Sequence, residues 1–95
     1  MDSLVYAKLS LQRALLGAVT PNLRAVYVDI DKKTKKLSIS FFYDGEITDE
    51  FFDIASTAIA EVDVPGYYEL DEKIERLDFP EKIPVRGHLV YLRQE

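Results

Sequence analysis

The chain has 95 residues, no cysteine and a formal net charge of −5, so disulfides and cysteine-based zinc sites are excluded. Its length predicts one domain spanning residues 1–95, and its 47% of hydrophobic residues predicts a folded core. The acidic balance argues against nucleic-acid binding, and no apolar run is long enough to cross a membrane. The first residues lack the features of a secretory signal, so we expect a soluble, cytoplasmic protein.

The N-terminal segment predicts a helix that packs one face against a sheet. Ser3 is a suitable N-cap, and Gly17 followed by Pro21 predicts the end of the helix. At 100° per residue, apolar positions between Leu4 and Ala18 share one face, and their alanines allow a close approach to the sheet. A second apolar stripe is interpreted as a wider core face, with a contact surface as the alternative; it consists of Val5, Leu9 and Leu16.

Alternating apolar residues predict a β-hairpin in the next part of the chain. The two strands are Leu23–Asp31 and Lys36–Tyr43, and the polar residues 32–36 form the loop. Tyr27 and Phe42 then lie on the sheet face opposite the main apolar rows. They are either covered by another element or exposed to a partner, and the sequence leaves both alternatives open.

A second amphipathic helix follows the chain-breaking pair Asp44-Gly45. Thr48 is its predicted N-cap, and Pro65-Gly66 ends it. Acidic and polar residues occupy one side of this helix, and the apolar stripe on the other side is expected to face the core. The stripe consists of Phe51, Phe52, Ala55, Ala58, Ile59 and Val62.

The C-terminal third predicts two further strands separated by a proline-containing segment. A third strand is expected from Tyr67 to Asp78, and a short fourth strand from His88 to Arg93. Residues 79–87 cannot form a helix or a central strand, because each of their prolines lacks a backbone donor. Since this segment also carries apolar residues, we expect it to be ordered and to lie over the core.

These elements together predict an α+β domain with the order α-β-β-α-β-β. Each helix precedes an expected hairpin, and the simplest packing is a two-layer α/β sandwich. Its sheet would be four-stranded and mostly antiparallel, with both helices on one face. The crossover through the second helix could place one parallel pair in the middle of the sheet.

No residue pattern indicates catalysis, a metal site or another cofactor. His88 is the only histidine, and the motif of a nucleophile with its base is missing. Asp29 and Asp31 resemble the start of a calcium loop, but Lys33 and Ser40 occupy positions that the loop reserves for ligands. We therefore predict no catalytic residue, no bound metal and no cofactor.

Charge is divided unevenly along the chain. Residues 1–43 carry a net charge of +4, and residues 44–95 carry −9. A negative surface attracts a basic protein and raises its rate of association, whereas acids early in a helix can simply complement the helix dipole. The predicted partner-binding acidic rim consists of Asp44, Glu46, Asp49, Glu50, Asp53, Asp71, Glu72 and Glu75.

Three tyrosines near the acidic rim are candidate aromatic anchors for a partner: Tyr43, Tyr67 and Tyr68. Tyrosine is favoured at the hot spots of protein interfaces. The alternative interpretation places Tyr43 in the core and the other two at the start of a strand.

The chain resembles the small, acidic, cysteine-free immunity proteins of bacterial toxin systems, including those of contact-dependent growth inhibition. The match lies in its length, its single α/β domain, the missing catalytic motif and the acidic half at 44–95. The resemblance implies a cytoplasmic bacterial protein that binds a toxin domain, often a nuclease, and blocks its active site. The resemblance does not assign a role to any individual residue of this chain.

We accordingly expect a non-enzymatic protein-binding module, an immunity or inhibitor protein that neutralises a basic, nuclease-like toxin domain through an acidic surface. Such a protein binds neither nucleic acid nor a membrane, and it is a monomer or a homodimer. A homo-oligomeric structural or adaptor domain is the alternative, since exposed aromatics or an edge strand would join two copies. An enzyme that uses carboxylates is the third hypothesis, and it requires a pocket in which acids converge.

Overall fold

The computed structural model describes residues 3–64, 66 and 68–95 of the chain. Two helices and four strands follow one another there in the order α-β-β-α-β-β, so the predicted element order and the α+β class are confirmed. No helix in this part of the chain is long and apolar enough to cross a membrane. The elements are α1 (Ser3–Ala14), β1 (Leu23–Asp31), β2 (Lys36–Tyr43), α2 (Asp49–Ala60), β3 (Glu69–Arg76) and β4 (His88–Leu92).

The four strands form one mixed sheet in the spatial order β3-β2-β1-β4. β1 pairs antiparallel with both β2 and β4, whereas β2 and β3 run parallel. The prediction of a mostly antiparallel sheet with a second hairpin is wrong, because β3 and β4 lie at opposite edges. The parallel pair is also at an edge rather than in the middle. Its direction follows from α2, which returns the chain so that β3 starts at the same end as β2.

The hairpin between β1 and β2 is set by the residue that ends β1. The Asp31 carboxylate accepts hydrogen bonds from the backbone N–H groups of Lys33 at 3.0 Å and Thr34 at 3.3 Å. Lys35 then adopts a φ of 57° and turns the chain into β2. An aspartate that bonds to the backbone two residues further on is a common way to start a turn, and here it confirms the predicted loop.

Both helices pack on one face of the sheet, as predicted, and the main core lies between the two layers. Val28, Ile39 and Phe41 point from the sheet toward the helices and are fully buried. Leu11 of α1 and Ile59 of α2 meet them from the other layer. Each such buried side chain stabilises the fold by about 1.5–3 kcal/mol relative to its exposed state.

The second apolar stripe of α1 does not belong to this core. Val5 is 41% exposed, Leu9 42% and Leu16 81%. The interpretation as a wider core face is therefore wrong. α1 rests on the sheet through Ala7 and Leu11, and no described element covers its opposite side.

The second face of the sheet is covered by residues 77–87, which we call the crossing segment because they connect β3 at one edge with β4 at the other. Leu77 and Ile83 pack against Tyr27 and Phe42, whose rings meet edge to face with centroids 6.2 Å apart. The prediction that residues 79–87 lie over the core is confirmed for Ile83, whereas the other two apolar side chains of that range are exposed. Tyr27 and Phe42 are consequently buried by the chain itself.

Arg24 fastens the crossing segment to the sheet, and its side chain is only 2% exposed. The guanidinium donates hydrogen bonds to the backbone carbonyl oxygens of Leu77 and Glu81, both at 2.8 Å. It also donates to both carboxylate oxygens of Glu95, at 2.7 and 2.9 Å. These bonds, with further help from Arg93, lower the pKa of Glu95 to about 2. Because a buried cation must be paired, Arg24 requires these partners in place.

The crossing segment ends at a glycine that the fold requires. Gly87 has a φ of 96°, and a Cβ atom at this position would stand 2.6 Å from the carbonyl oxygen of Val28. Only glycine combines this backbone conformation with so close an approach to β1. The entry into β4 therefore depends on Gly87.

Candidate functional site

The candidate site is the outer surface of α2, and the start of this helix fixes its orientation. Thr48 is the N-cap, as predicted, and its hydroxyl oxygen accepts a hydrogen bond from the N–H of Phe51 at 3.2 Å. The Phe51 ring turns inward and stacks on Tyr43 with centroids 6.0 Å apart. Ala55 and Ala58 are buried against the core as well. The opposite side of α2 consequently faces outward.

Three carboxylates stand on this outward side, and we call Asp49, Glu50 and Asp53 the α2 acidic face. All three are exposed, and none forms an ion pair with another described residue. The sequence around them explains this, since residues 37–72 contain ten acids and no lysine or arginine. The first two also complement the N-terminal end of the helix dipole. Their combined negative potential extends into solvent and is available to a basic partner.

Phe52 lies beside the α2 acidic face and is 48% exposed, so its predicted place in the core is wrong. On a helix it is separated from Phe51 by 100° of rotation, and Phe51 takes the inward position. Ile54 and Ala58 line the space next to Ala14 of α1, so Phe52, about 200° of helix rotation before Ile54, lies on the opposite flank of α2, on the side of the edge strand β3. No described element lies beyond that edge, and the ring stays partly in solvent.

Three other members of the predicted acidic rim are neutralised inside the protein. The ion pairs are Asp44–Arg93 at 3.2 Å, Asp71–Lys73 at 3.5 Å and Glu75–Arg86. Arg86 additionally lies over the ring of Phe42, with 5.2 Å between the guanidinium carbon and the ring centroid. Asp44 and Glu75 link the crossing segment and the end of β4 to the rest of the sheet, whereas the Asp71–Lys73 pair lies within β3. The charge of each of these acids is offset by a cation of the protein itself.

The two remaining rim residues, Glu46 and Glu72, are exposed but lie apart from each other. Glu46 is near Arg76, where it adds to the stronger effect of Asp78 in raising the pKa of that guanidinium. Glu72 projects from β3 on the helix side, whereas Asp71 projects from the crossing-segment side, because neighbouring strand residues face opposite ways. The eight rim residues are therefore not brought onto one surface.

The tyrosine anchors are also separated. Tyr43 is fully buried, which raises the pKa of its hydroxyl to about 12, and the hydroxyl has no hydrogen-bond partner among the described residues. The core alternative therefore holds for Tyr43. Tyr68 is half-buried beside the hairpin turn, with the Lys35 ammonium 5.3 Å from its ring centroid. Tyr67 lies outside the described residues.

A groove that the sequence did not predict runs between α2 and the turn after α1, and we call it the α1–α2 groove. Its volume is about 330 Å³. Leu16 and Ala18 form one wall, and Asp53, Thr57 and Glu61 form the other. The apolar character of Leu16 predicts a place in the core, and this prediction is wrong. The neighbouring glycine, which turns the chain there, was the available signal that its side chain leaves the core.

The geometry of this region is that of a protein-binding surface. The described residues contain no group of three or more acids and histidines that could hold a metal. What they present is a free acidic helix face with an exposed aromatic side chain and an adjoining groove. Charge of one sign beside an aromatic anchor is typical of a surface that binds another protein.

A comparison with family profiles places the chain more closely. The profile of the MafI2 immunity protein family matches residues 5–95, and the chain belongs to this family. The resemblance to toxin-immunity proteins is thereby confirmed, and with it a toxin-neutralising immunity role. A comparison with curated proteins found no match.

Proposed function

We propose that this immunity protein neutralises its toxin by binding a basic, nuclease-like toxin domain through the α2 acidic face and Phe52. The observation that carries the proposal is the contrast among the acids. Asp49, Glu50 and Asp53 have no ion pair within the described chain. Three of the six acids of β3 and the crossing segment do, namely Asp71, Glu75 and Asp78. Free carboxylates around an exposed ring supply both attraction and an anchor.

The proposed mechanism of inhibition is occlusion. A domain that cleaves nucleic acid binds phosphates through clustered lysines and arginines, so its cleft is basic. A rigid helix that presents carboxylates can occupy such a cleft and exclude the substrate. Long-range attraction raises the rate of association, and Phe52 slows dissociation once it is covered. The protein itself then needs no catalytic residue, and it acts where the toxin would act, in the bacterial cytoplasm.

A second candidate function rests on a different surface. The outer side of α1 exposes Val5, Tyr6 and Leu9, each between 40% and 42% accessible. Such a stripe would suit a homodimer, as in the structural or adaptor hypothesis. In the first candidate a toxin covers the outer side of α2. In the second, another copy of the chain covers the outer side of α1.

Capture of the partner tests the proposal. The tagged protein is incubated with lysate of its native host at about 50 mM and about 500 mM salt, because salt screens exposed charges. The captured species is then expressed alone and together with the immunity protein. We expect one stoichiometric basic protein, bound less at high salt, that stops growth alone and is tolerated on co-expression. Recovery of the bait chain alone, or of a partner whose toxicity persists, would overturn the proposal and favour the homodimer.

A further inference from the structure

The α1–α2 groove joins the α2 acidic face along one side, and its two walls differ in chemistry. Asp53, Thr57 and Glu61 stand at intervals of four residues, so they form a row along the helix. The two carboxylates are about 12 Å apart along the axis at 1.5 Å per residue. The wall is therefore polar in its middle and negative at both ends.

The opposite wall is apolar and exposed. Leu16 is 81% accessible, although Leu15 beside it is only 6% accessible and belongs to the core. Backbone hydrogen bonds from Leu16 to Arg13 and from Ala18 to Leu15 fix the turn that holds it outward. An apolar side chain held so far into solvent next to a groove gives a partner an apolar surface to cover.

The groove floor is short and shallow for a whole helix but suited to a few side chains. Its volume of about 330 Å³ is at the lower end of ligand-sized sites. Ala14, Ala18 and Ala58 keep the floor low because their side chains are methyl groups. The occupant therefore inserts side chains and keeps its backbone above the rim.

We infer that the α1–α2 groove receives an amphipathic basic segment of the toxin. The segment presents two lysine or arginine side chains about two helical turns apart, which pair with Asp53 and Glu61, and an apolar side chain between them that contacts Leu16. The inference rests on the proposed function, since it names the part of the toxin that the acidic helix meets. Charge complementarity commits it to a basic occupant, because no basic residue lines the groove and neither carboxylate has an ion pair within the described chain.

Two substitutions test the groove without touching Asp49 or Asp53. Leu16→Glu places a charge on the apolar wall, and Thr57→Arg places a cation in the middle of the acidic wall. Both residues are exposed, so we expect unchanged melting temperatures. Against the purified captured toxin, each variant should raise the Kd about 30-fold, the size of a hot-spot effect.

Matched controls separate the groove from the surface in general. Leu92→Glu makes the same change at a residue that is 55% exposed on β4, and Gln12→Arg adds the same cation on α1. Both should bind as the wild type does. A photoreactive residue at position 57 should then cross-link to a toxin segment with the stated basic–apolar–basic pattern.

The outcomes distinguish the groove from the proposed function. Wild-type Kd values for Leu16→Glu and Thr57→Arg, together with weakened binding by Asp49→Lys, would overturn the groove and leave the acidic helix in place. A cross-link to a segment without basic residues would also overturn it. Failure of the wild-type protein to bind any toxin would overturn both.

Discussion

The acids on the two sides of the sheet differ in whether the protein itself pairs them. On the helix side, the α2 acidic face and Phe52 point outward and have no partner within the described chain. On the other side, the acids around the crossing segment are engaged with Arg93, Lys73 and Arg86. The acids of the α2 acidic face thus form no ion pair within the described chain, whereas acids on the other side help to hold an irregular segment in place.

This difference follows from how each face is covered. Helices satisfy their own backbone and seal the core with apolar side chains, so polar residues on their outer side have no structural task. The crossing segment has no such internal ladder. Its carbonyl groups at Leu77 and Glu81 need donors, and the buried Arg24 supplies them. Carboxylates that form no ion pair within the fold are the ones that remain available to bind another molecule.

The largest expected effect concerns the crossing-segment side. Arg24→Ala removes the shared donor and leaves two carbonyls and Glu95 without it, so we expect a loss of about 3–5 kcal/mol in the free energy of unfolding. Urea denaturation measures this loss, and Arg13→Ala on the exposed side of α1 serves as the control. A variant as stable as the wild type would show that the segment is held by its apolar contacts alone.

On the helix side, alanine substitutions of two neighbouring phenylalanines should have clearly different effects. Phe51→Ala should lower the free energy of unfolding by about 3 kcal/mol, because the ring stacks on Tyr43 in the core. Phe52→Ala should change it by less than about 0.5 kcal/mol but weaken toxin binding. Thermal melts and binding isotherms on the same samples separate the two roles. Equal stability losses for both variants would contradict the described orientation of α2.

Alkaline and acidic pH should each lower the free energy of unfolding through a group on a different side of the sheet. Burial raises the pKa of Tyr43 to about 12, so the hydroxyl resists ionisation in the folded state more than in the unfolded chain. The free energy of unfolding is therefore fully retained below pH 10 and reduced as the pH rises through 12. The loss should be about 2–3 kcal/mol for a shift of this size. Tyr43→Phe should abolish this alkaline loss at no cost in stability at pH 7. An alkaline transition that persists in Tyr43→Phe would assign it to another group.

On the crossing-segment side, stability should be lost as the pH falls rather than as it rises. Hydrogen bonds from Arg24 lower the pKa of Glu95 to about 2, so the stability that this carboxylate contributes is present above its ordinary value of 4.5 and lost as the pH falls through 2. Glu95→Gln should flatten this part of the pH profile, measured by urea denaturation at each pH. An unchanged acid profile would mean that the pair with Arg24 contributes little in solution.

Local patterns in the sequence predicted much of the fold. Alternation around Val28 and Ile39 predicted β1 and β2, and Thr48 predicted the start of α2. The position of β4 was not predictable in this way, because a strand far along the chain can join either edge of a sheet. The burial of Arg24 was not predictable either, because the crossing segment that covers it lies more than fifty residues further along the chain.

The candidate site was predictable in its charge and not in its geometry. The acidic half of the sequence predicted a basic partner, yet only the fold shows which acids are already paired. Helical spacing predicts core positions for Phe52 and Leu16, because apolar residues with this spacing usually face the core. Both lie outside it, since the sheet ends at β3 and the chain turns at Gly17. Whether such an apolar residue is exposed depends on where the neighbouring strands and helices end. The spacing of apolar residues along one helix does not indicate this.

The central claim is that the α2 acidic face binds the toxin, and a charge reversal tests it most directly. The double variant Asp49→Lys with Asp53→Lys is compared with Glu69→Lys and Asp71→Lys on β3, which makes the same change in net charge elsewhere. Kd is measured against the captured toxin at about 50 mM and about 500 mM salt, which separates exposed charge from other contacts. The account predicts at least a tenfold weaker Kd at low salt for the α2 variant only, with a smaller salt dependence. Equal Kd values for the wild type and both variants would contradict it.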